Sequence, residues 1–216
     1  MSQNTAIHII LVPGADSLAF PEDQEAANRC GATIHALTLS PIAGHPIDAR
    51  PPYFNDVADL ITAEIARARA DTPGVCIFGI GRNHGGSLLA YAAARDGGFD
   101  GLVFPGVIPK LSDYRAHSSL ASARKFREGL DSPVELARIS ELQPFDMVPC
   151  LDALDPKGCL IQVGRSDDWM DEASLACFRD FEARYTVVWH DDDHAMVAPE
   201  TVAARWAFIE SLMQDA

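Results

Sequence analysis

Val75-Cys76-Ile77-Phe78-Gly79-Ile80-Gly81-Arg82-Asn83-His84-Gly85-Gly86-Ser87 is the stretch on which the fold turns. Its apolar start, Val75 to Phe78, reads as a strand, and the alanine-rich run beyond Ser87 reads as a helix. Gly81 and Gly85 flank Asn83 with the spacing of a Gly-x-Ser-x-Gly elbow, where small neighbours are needed because the turn is sharp and strained. Such a turn ordinarily presents a serine. Here the position holds asparagine, whose carboxamide nitrogen is delocalised and too weak a nucleophile to form an acyl intermediate. The same group still offers one acceptor and two donor hydrogens.

Outward from this turn, short apolar runs alternate with helical patterns. Strands are expected at about 6–12, 33–39, 74–80, 100–106, 158–164 and 185–190. Val57, Leu60, Ile61 and Ile65 form one helical stripe, and Val202, Trp206, Ile209 and Met213 form another. Alternation of strand and helix without hairpin signals implies a parallel sheet covered on both faces. The polar, mixed region 111–150 breaks the rhythm and reads as a lid-like insertion with short helices in a single domain spanning 1–216. Ligands of an open parallel sheet bind beyond the carboxyl ends of its strands. Pro13-Gly14-Ala15-Asp16, Asn83, the Asp167/Asp168 pair and His194 all fall at such ends.

Composition narrows the field of partners. A formal net charge of −14 argues against nucleic acid or an anionic membrane surface. No apolar run approaches a membrane span, no basic leader precedes an apolar segment, and five cysteines without paired spacing fit reduced thiols. A cytoplasmic protein is expected. Cys76 and Cys159 lie within strands and read as core. The glycines Gly79, Gly81 and Gly85 resemble a dinucleotide fingerprint only loosely, because the following strand, Gly101-Leu102-Val103-Phe104-Pro105, ends without a ribose-binding acid. A metal site at His190 and His194 would need helical spacing, whereas the segment follows a strand. Neither a cofactor nor a metal is expected.

Taken together, the elbow and the order of residues after it resemble the α/β-hydrolase superfamily. That resemblance covers nearly the whole chain and implies a compact three-layer α/β sandwich. Its mainly parallel, six-stranded sheet would have the order 2-1-3-4-5-6. The resemblance places the family's nucleophile, acid and histidine at Asn83, Asp167 (in Gly164-Arg165-Ser166-Asp167) and His194. It makes Val12-Pro13-Gly14-Ala15 the oxyanion loop, with the backbone N–H groups of Ala15 and His84 as donors and Gly14 beside them. Ser40-Pro41-Ile42-Ala43-Gly44-His45 stands where the family often has an Asp-x-x-Gly-His loop.

With asparagine at the elbow, the implied activity is acid/base chemistry by the Asp167–His194 pair on a small carbonyl compound such as an ester, thioester or lactone. Isomerase, cyclase or lyase chemistry follows from that pair, with an enolate held by backbone amides. Two other readings stay open: a non-catalytic pseudo-hydrolase that binds a small molecule or partner, and an esterase or thioesterase that uses another nucleophile. Asp168 competes with Asp167 for the acid position. Ser87 reads as packed in the helix, Ser17 as a turn residue, and His190 with Asp191 to Asp193 as an acidic surface turn. Arg82 reads as a surface residue or a substrate contact. Arg115, Arg124, Lys125, Arg127 and Arg138 read as a solvated face, or as attraction for a carboxylate-bearing substrate or an acyl carrier protein. Phe126, Leu130, Leu136, Ile139 and Phe145 would roof a pocket or pack the insertion, with Tyr114 and Trp169 as rim aromatics.

Overall fold

A computed structural model describes residues 6–14, 20–40, 46–130 and 132–214, the side chains at 125, 126 and 128–130 excepted. Six parallel strands, β1 (Ile7–Val12), β2 (Thr33–Ala36), β3 (Cys76–Gly81), β4 (Gly101–Pro105), β5 (Cys159–Gly164) and β6 (Thr186–His190), form one sheet in the order β2-β1-β3-β4-β5-β6. The expected order is the observed one. Period-two alternation on β1 sends Ile10 and Val12 to one apolar layer and Ile9 and Leu11 to the other. The first layer meets α2 (Arg50–Asp71) and α3 (His84–Asp96) through Phe54, Val57, Ile61, Leu88 and Leu89. The second meets α1 (Pro21–Cys30) and α9 (Pro199–Gln214) through Ala26, Ala27, Val202, Trp206 and Ile209. Helices on both faces satisfy a sheet that is apolar on both sides.

Two local expectations shift. The edge strand β2 ends at Ala36, short of residue 39, although the Leu37 N–H still donates to the Leu11 carbonyl at 3.0 Å. Leu60 is 39% exposed, because the buried stripe of α2 runs through Phe54, Val57, Ala58, Ile61, Ile65 and Ala68 and leaves residue 60 on its flank. The segment between β4 and β5 folds as α4 (Leu111–His117), α5 (Ala121–Leu130), α6 (Pro133–Ala137), a 3-10 turn at Ile139–Phe145 and α7 (Met147–Leu151). Ser132 and Glu135 close a capping box at the start of α6. After β5, α8 (Glu172–Phe181) starts at Asp171, whose side chain accepts from the Ser174 N–H. Among the described residues, no helix is long and apolar enough to cross a membrane.

After β1 the chain turns to one side of the sheet, and after β2 it crosses to the other. The carboxyl ends of β1 and β3 therefore bracket the point where strand order reverses, the place where such sheets hold ligands.

Candidate active site

Asn83 joins β3 to α3 with φ 53° and ψ −127°, a conformation that costs a non-glycine residue about 1–3 kcal/mol and persists only when its surroundings enforce it. The enforcement is visible in close backbone approaches. A Cβ on Gly85 would strike the Val12 carbonyl oxygen and come within 2.5 Å of that of Pro13, while one on Gly81 would meet the Gly85 oxygen at 2.6 Å. The Gly85 N–H donates to the Arg82 carbonyl at 2.9 Å and the Gly86 N–H to that of Asn83 at 3.0 Å, so the turn passes straight into helix. Gly14, just past β1, lies against the elbow, its virtual Cβ 3.1 Å from the Asn83 Cβ. His84 opens α3, where helical backbone N–H groups lack intrahelical acceptors. Ala15 and Ser17 lie outside the described residues, as do residues 41–45 of the loop after β2.

His194 and Asp167 come from the loops after β6 and β5. The His194 Nδ1 lies 2.8 Å from the Asp167 Oδ2, and the Asp167 side chain is fully buried. The second oxygen of Asp167, Oδ1, accepts the Trp169 backbone N–H at 2.9 Å. A carboxylate on Nδ1 holds the proton there and leaves Nε2 as the basic nitrogen. That Nε2 is buried from bulk water and has no hydrogen-bond partner among the described residues. Asp168, the competing acid, lines the cavity with its side chain exposed instead.

The histidine loop is held from several directions. Gly106 has φ 57°, and a Cβ there would collide with the His194 carbonyl oxygen, so the end of β4 lets the loop descend onto it. Asp192 accepts from the Ala198 N–H at 2.9 Å and from the Thr201 hydroxyl at 2.7 Å. Arg82 donates from Nη1 to the Ala195 carbonyl at 3.2 Å while its guanidinium lies 4.5 Å over the Phe20 ring, tying elbow to histidine loop. Arg205 on α9 donates to the Met196 carbonyl at 2.9 Å and is paired with Asp23 of α1 at 2.8 Å through each of two nitrogens.

These loops enclose a cavity of about 270 Å³ lined by Gly14, Arg82, Asn83, Trp169, His194 and Ala195, with Asp168 and Asp193 at its edge. The structure thus brings Gly14, Asn83 and His194 to one cavity, with Asp167 behind His194. It makes no hydrogen bond from the Asn83 carboxamide to His194 Nε2. Among the described residues, no group of three histidine, cysteine or acidic side chains could hold a metal.

Some expectations for neighbouring residues are overturned. His190 closes β6 and is buried, its Nε2 accepting from the Gln162 amide at 3.0 Å; burial lowers its pKa. It belongs to the packing under the site and not to a surface turn, because it is the last residue of β6 and its ring lies against the buried Gln162 of the neighbouring strand β5. Arg115 and Tyr114 are also buried, since α4 packs its polar face inward. Arg127 donates to the Arg115 and Ser118 carbonyls, and Arg138 pairs with Asp48 and Glu141. Ser87 is buried within α3 as expected. Ile139 is buried and Phe145 half-buried, while the side chains of Lys125, Phe126 and Leu130 lie outside the described residues.

The imidazole of His84 turns away from the 270 Å³ cavity into a smaller one of about 20 Å³, room for about one water. Arg50, Arg115, Phe54, Ser112 and Asp146 also line it, and among the described residues neither His84 ring nitrogen has a hydrogen-bond partner. Burial, then the Arg115 and Arg50 guanidiniums, lower the His84 pKa to about 3. Burial pushes the Asp146 carboxyl up to about 6 against hydrogen bonds from Ser112. The two groups act on stability with opposite signs. Between pH 6.5 and about 3 the unfolded chain takes a proton on residue 84 that the fold refuses, so stability present above pH 6.5 is lost on acidification. Asp146 contributes most below its unfolded pKa near 3.8 and loses that contribution as pH rises through about 6. Each pH unit of separation is worth about 1.4 kcal/mol. His84→Gln should therefore flatten the acid limb of a urea-midpoint profile, and Asp146→Asn should steepen it. An unchanged acid limb in His84→Gln would show that the imidazole is not held neutral.

The parallel sheet in this order, with a strand–turn–helix elbow after its third strand and an acid and a histidine on later loops, is the α/β-hydrolase fold. No protein-family model matches the sequence, and no curated protein sequence matches it. Solved structures similar to this chain include esterases. The Pyrococcus furiosus esterase Pf2001 superposes with a TM-score of 0.65 at 14% identity, over 97% of this chain and 85% of that one. Est1E from Butyrivibrio proteoclasticus, solved with ferulic acid, gives 0.65 at 16% identity over 99% and 90%. A thermostable carboxyl esterase from Bacillus coagulans gives 0.63 at 14% identity over 98% and 91%.

Proposed function

We propose that this chain is an enzyme acting on a small carbonyl compound of the ester, thioester or lactone type, with His194 as general base and no acyl-enzyme. The observation that carries the reading is a carboxylate-oriented histidine whose Nε2 has no partner among the described residues, beside an elbow whose residue cannot attack. Absence of a bond between Asn83 and Nε2 frees the carboxamide for a ligand, so Asn83 binds a substrate oxygen or a water. In the proposed step, His194 Nε2 takes a proton from the carbon next to the carbonyl. The C–H electron pair becomes a C=C bond while the carbonyl π pair moves onto oxygen, giving an enolate stabilised by the His84 backbone N–H at the start of α3. Expulsion of a β-leaving group, which takes the proton back from His194 as the carbonyl re-forms, completes an elimination; on a β,γ-unsaturated substrate, return of that proton to the γ carbon completes an isomerisation. Esterase neighbours support the carbonyl class of substrate.

A fluorophosphonate probe read by intact mass tests the absence of a nucleophile. The wild-type chain should stay unlabelled, whereas Asn83→Ser should acquire the phosphonate at position 83 and gain hydrolysis of p-nitrophenyl acetate. Labelling of the wild-type chain at any serine would overturn the reading in favour of covalent catalysis. Small esters, thioesters, lactones and β-acyloxy ketones, followed by NMR, would then identify the reaction.

A further inference from the structure

Trp169 lies on the imidazole of His194, ring centroids 4.8 Å apart and planes 9° from parallel. Its backbone N–H meanwhile donates to the Asp167 oxygen that His194 leaves unused. One residue therefore touches both members of the pair, the carboxylate from its main chain and the imidazole from its side chain. These contacts act along perpendicular directions. The Asp167 hydrogen bond lies near the plane of the imidazole and fixes which nitrogen carries the proton. It leaves the ring able to rock out of that plane about Nδ1, the motion that would carry Nε2 away from the cavity. An indole stacked on the ring opposes that tilt. The His194 side chain is 14% exposed and that of Asp167 is fully buried, so the hydrogen bond between them is shielded from water, with the indole covering one face of the imidazole. When His194 accepts a proton, the aromatic face meets a cation, an arrangement worth about 0.5–1 kcal/mol at a partly exposed site.

We propose that Trp169 is a positioning residue for His194, clamping the imidazole against Asp167 so that Nε2 faces the cavity shared with Asn83. The proposal rests on His194 being the base, and a measurement that needs no substrate separates the two ideas. A histidine N–H held by a buried carboxylate and shielded from water gives a slowly exchanging proton resonance at low field. Wild-type protein should show it, His194→Ala should remove it and so assign it, Trp169→Phe should keep it, and Trp169→Leu should lose it to exchange with water. On whichever carbonyl compound is turned over, Trp169→Leu should lower kcat by roughly two- to fivefold, with KM little changed and Trp169→Phe restoring most of the loss. A resonance absent from the wild type, or equally persistent in Trp169→Leu, overturns the clamp. Failure of every carbonyl compound to turn over overturns the reading of His194 as a base, and the exchange measurement still decides the clamp.

Discussion

With His194 as the proposed general base, replacing it with alanine is expected to lower turnover of the substrate by about 10²–10⁴-fold while leaving the fold intact, the range for removal of such a group. The fold should survive because the ring is a loop side chain at the mouth of a cavity, and its loop is held by other groups. Arg82 and Arg205 grip the Ala195 and Met196 carbonyls, and Asp192 caps the turn into α9. Loss of rate with unchanged denaturation midpoint is therefore the expected signature. Asp167→Asn should approach the same loss for another reason. An amide nitrogen facing Nδ1 would donate to it, move the ring proton to Nε2 and turn the base into a donor. Measured together by steady-state kinetics, the two variants should be far from additive, because each disables the same unit. Turnover by His194→Ala at the wild-type rate would remove the pair from the chemistry.

Much of this arrangement is legible in the sequence because it follows from local signals. Buried parallel strands are short apolar runs, and the elbow announces itself through Gly81 and Gly85. Asp167 and His194 follow from their place after the fifth and sixth strands. What stays hidden depends on partners far away in the chain. Asp23 reads as one more acid in the first turn of a polar helix, and only its pairing with Arg205 explains its complete burial. A signal does exist at the other end. Arg205 is three residues after Val202 and four before Ile209, in the middle of an apolar stripe, and a cation there demands a buried counter-charge. Arg115 hides in the same way, as a cation in a polar segment that the fold turns inward. The stack of Trp169 on His194 has no sequence signal beyond Trp169 lying near the fifth-strand loop.

Asp23→Ala is expected to destabilise the fold by about 3–5 kcal/mol, because it strands a buried charge. The Asp23 carboxylate accepts from Arg205 Nε and Nη2 at 2.8 Å each and from the Trp206 indole N–H at 2.9 Å. Both charged side chains are essentially without solvent contact, 1% for Arg205 and none for Asp23. Removing the carboxylate leaves a guanidinium that water cannot reach and an indole N–H without its acceptor. For a domain of this size the expected loss corresponds to roughly 6–20 °C in Tm. The isosteric Asp23→Asn should recover part of the loss, since the amide oxygen still accepts while the charge stays unbalanced. A paired replacement, Asp23→Leu with Arg205→Met, should recover more than the amide does, because no charge is left stranded, although the Trp206 indole N–H and the Met196 carbonyl still lose their partners. Thermal unfolding of the three proteins separates the possibilities. If the double replacement is as unstable as Asp23→Ala, the lost contact is geometric, and the Arg205 grip on the Met196 carbonyl matters more than the charge. If it regains stability yet turns over substrate more slowly than wild type, the ion pair stabilises little by itself and serves to hold the loop that carries His194.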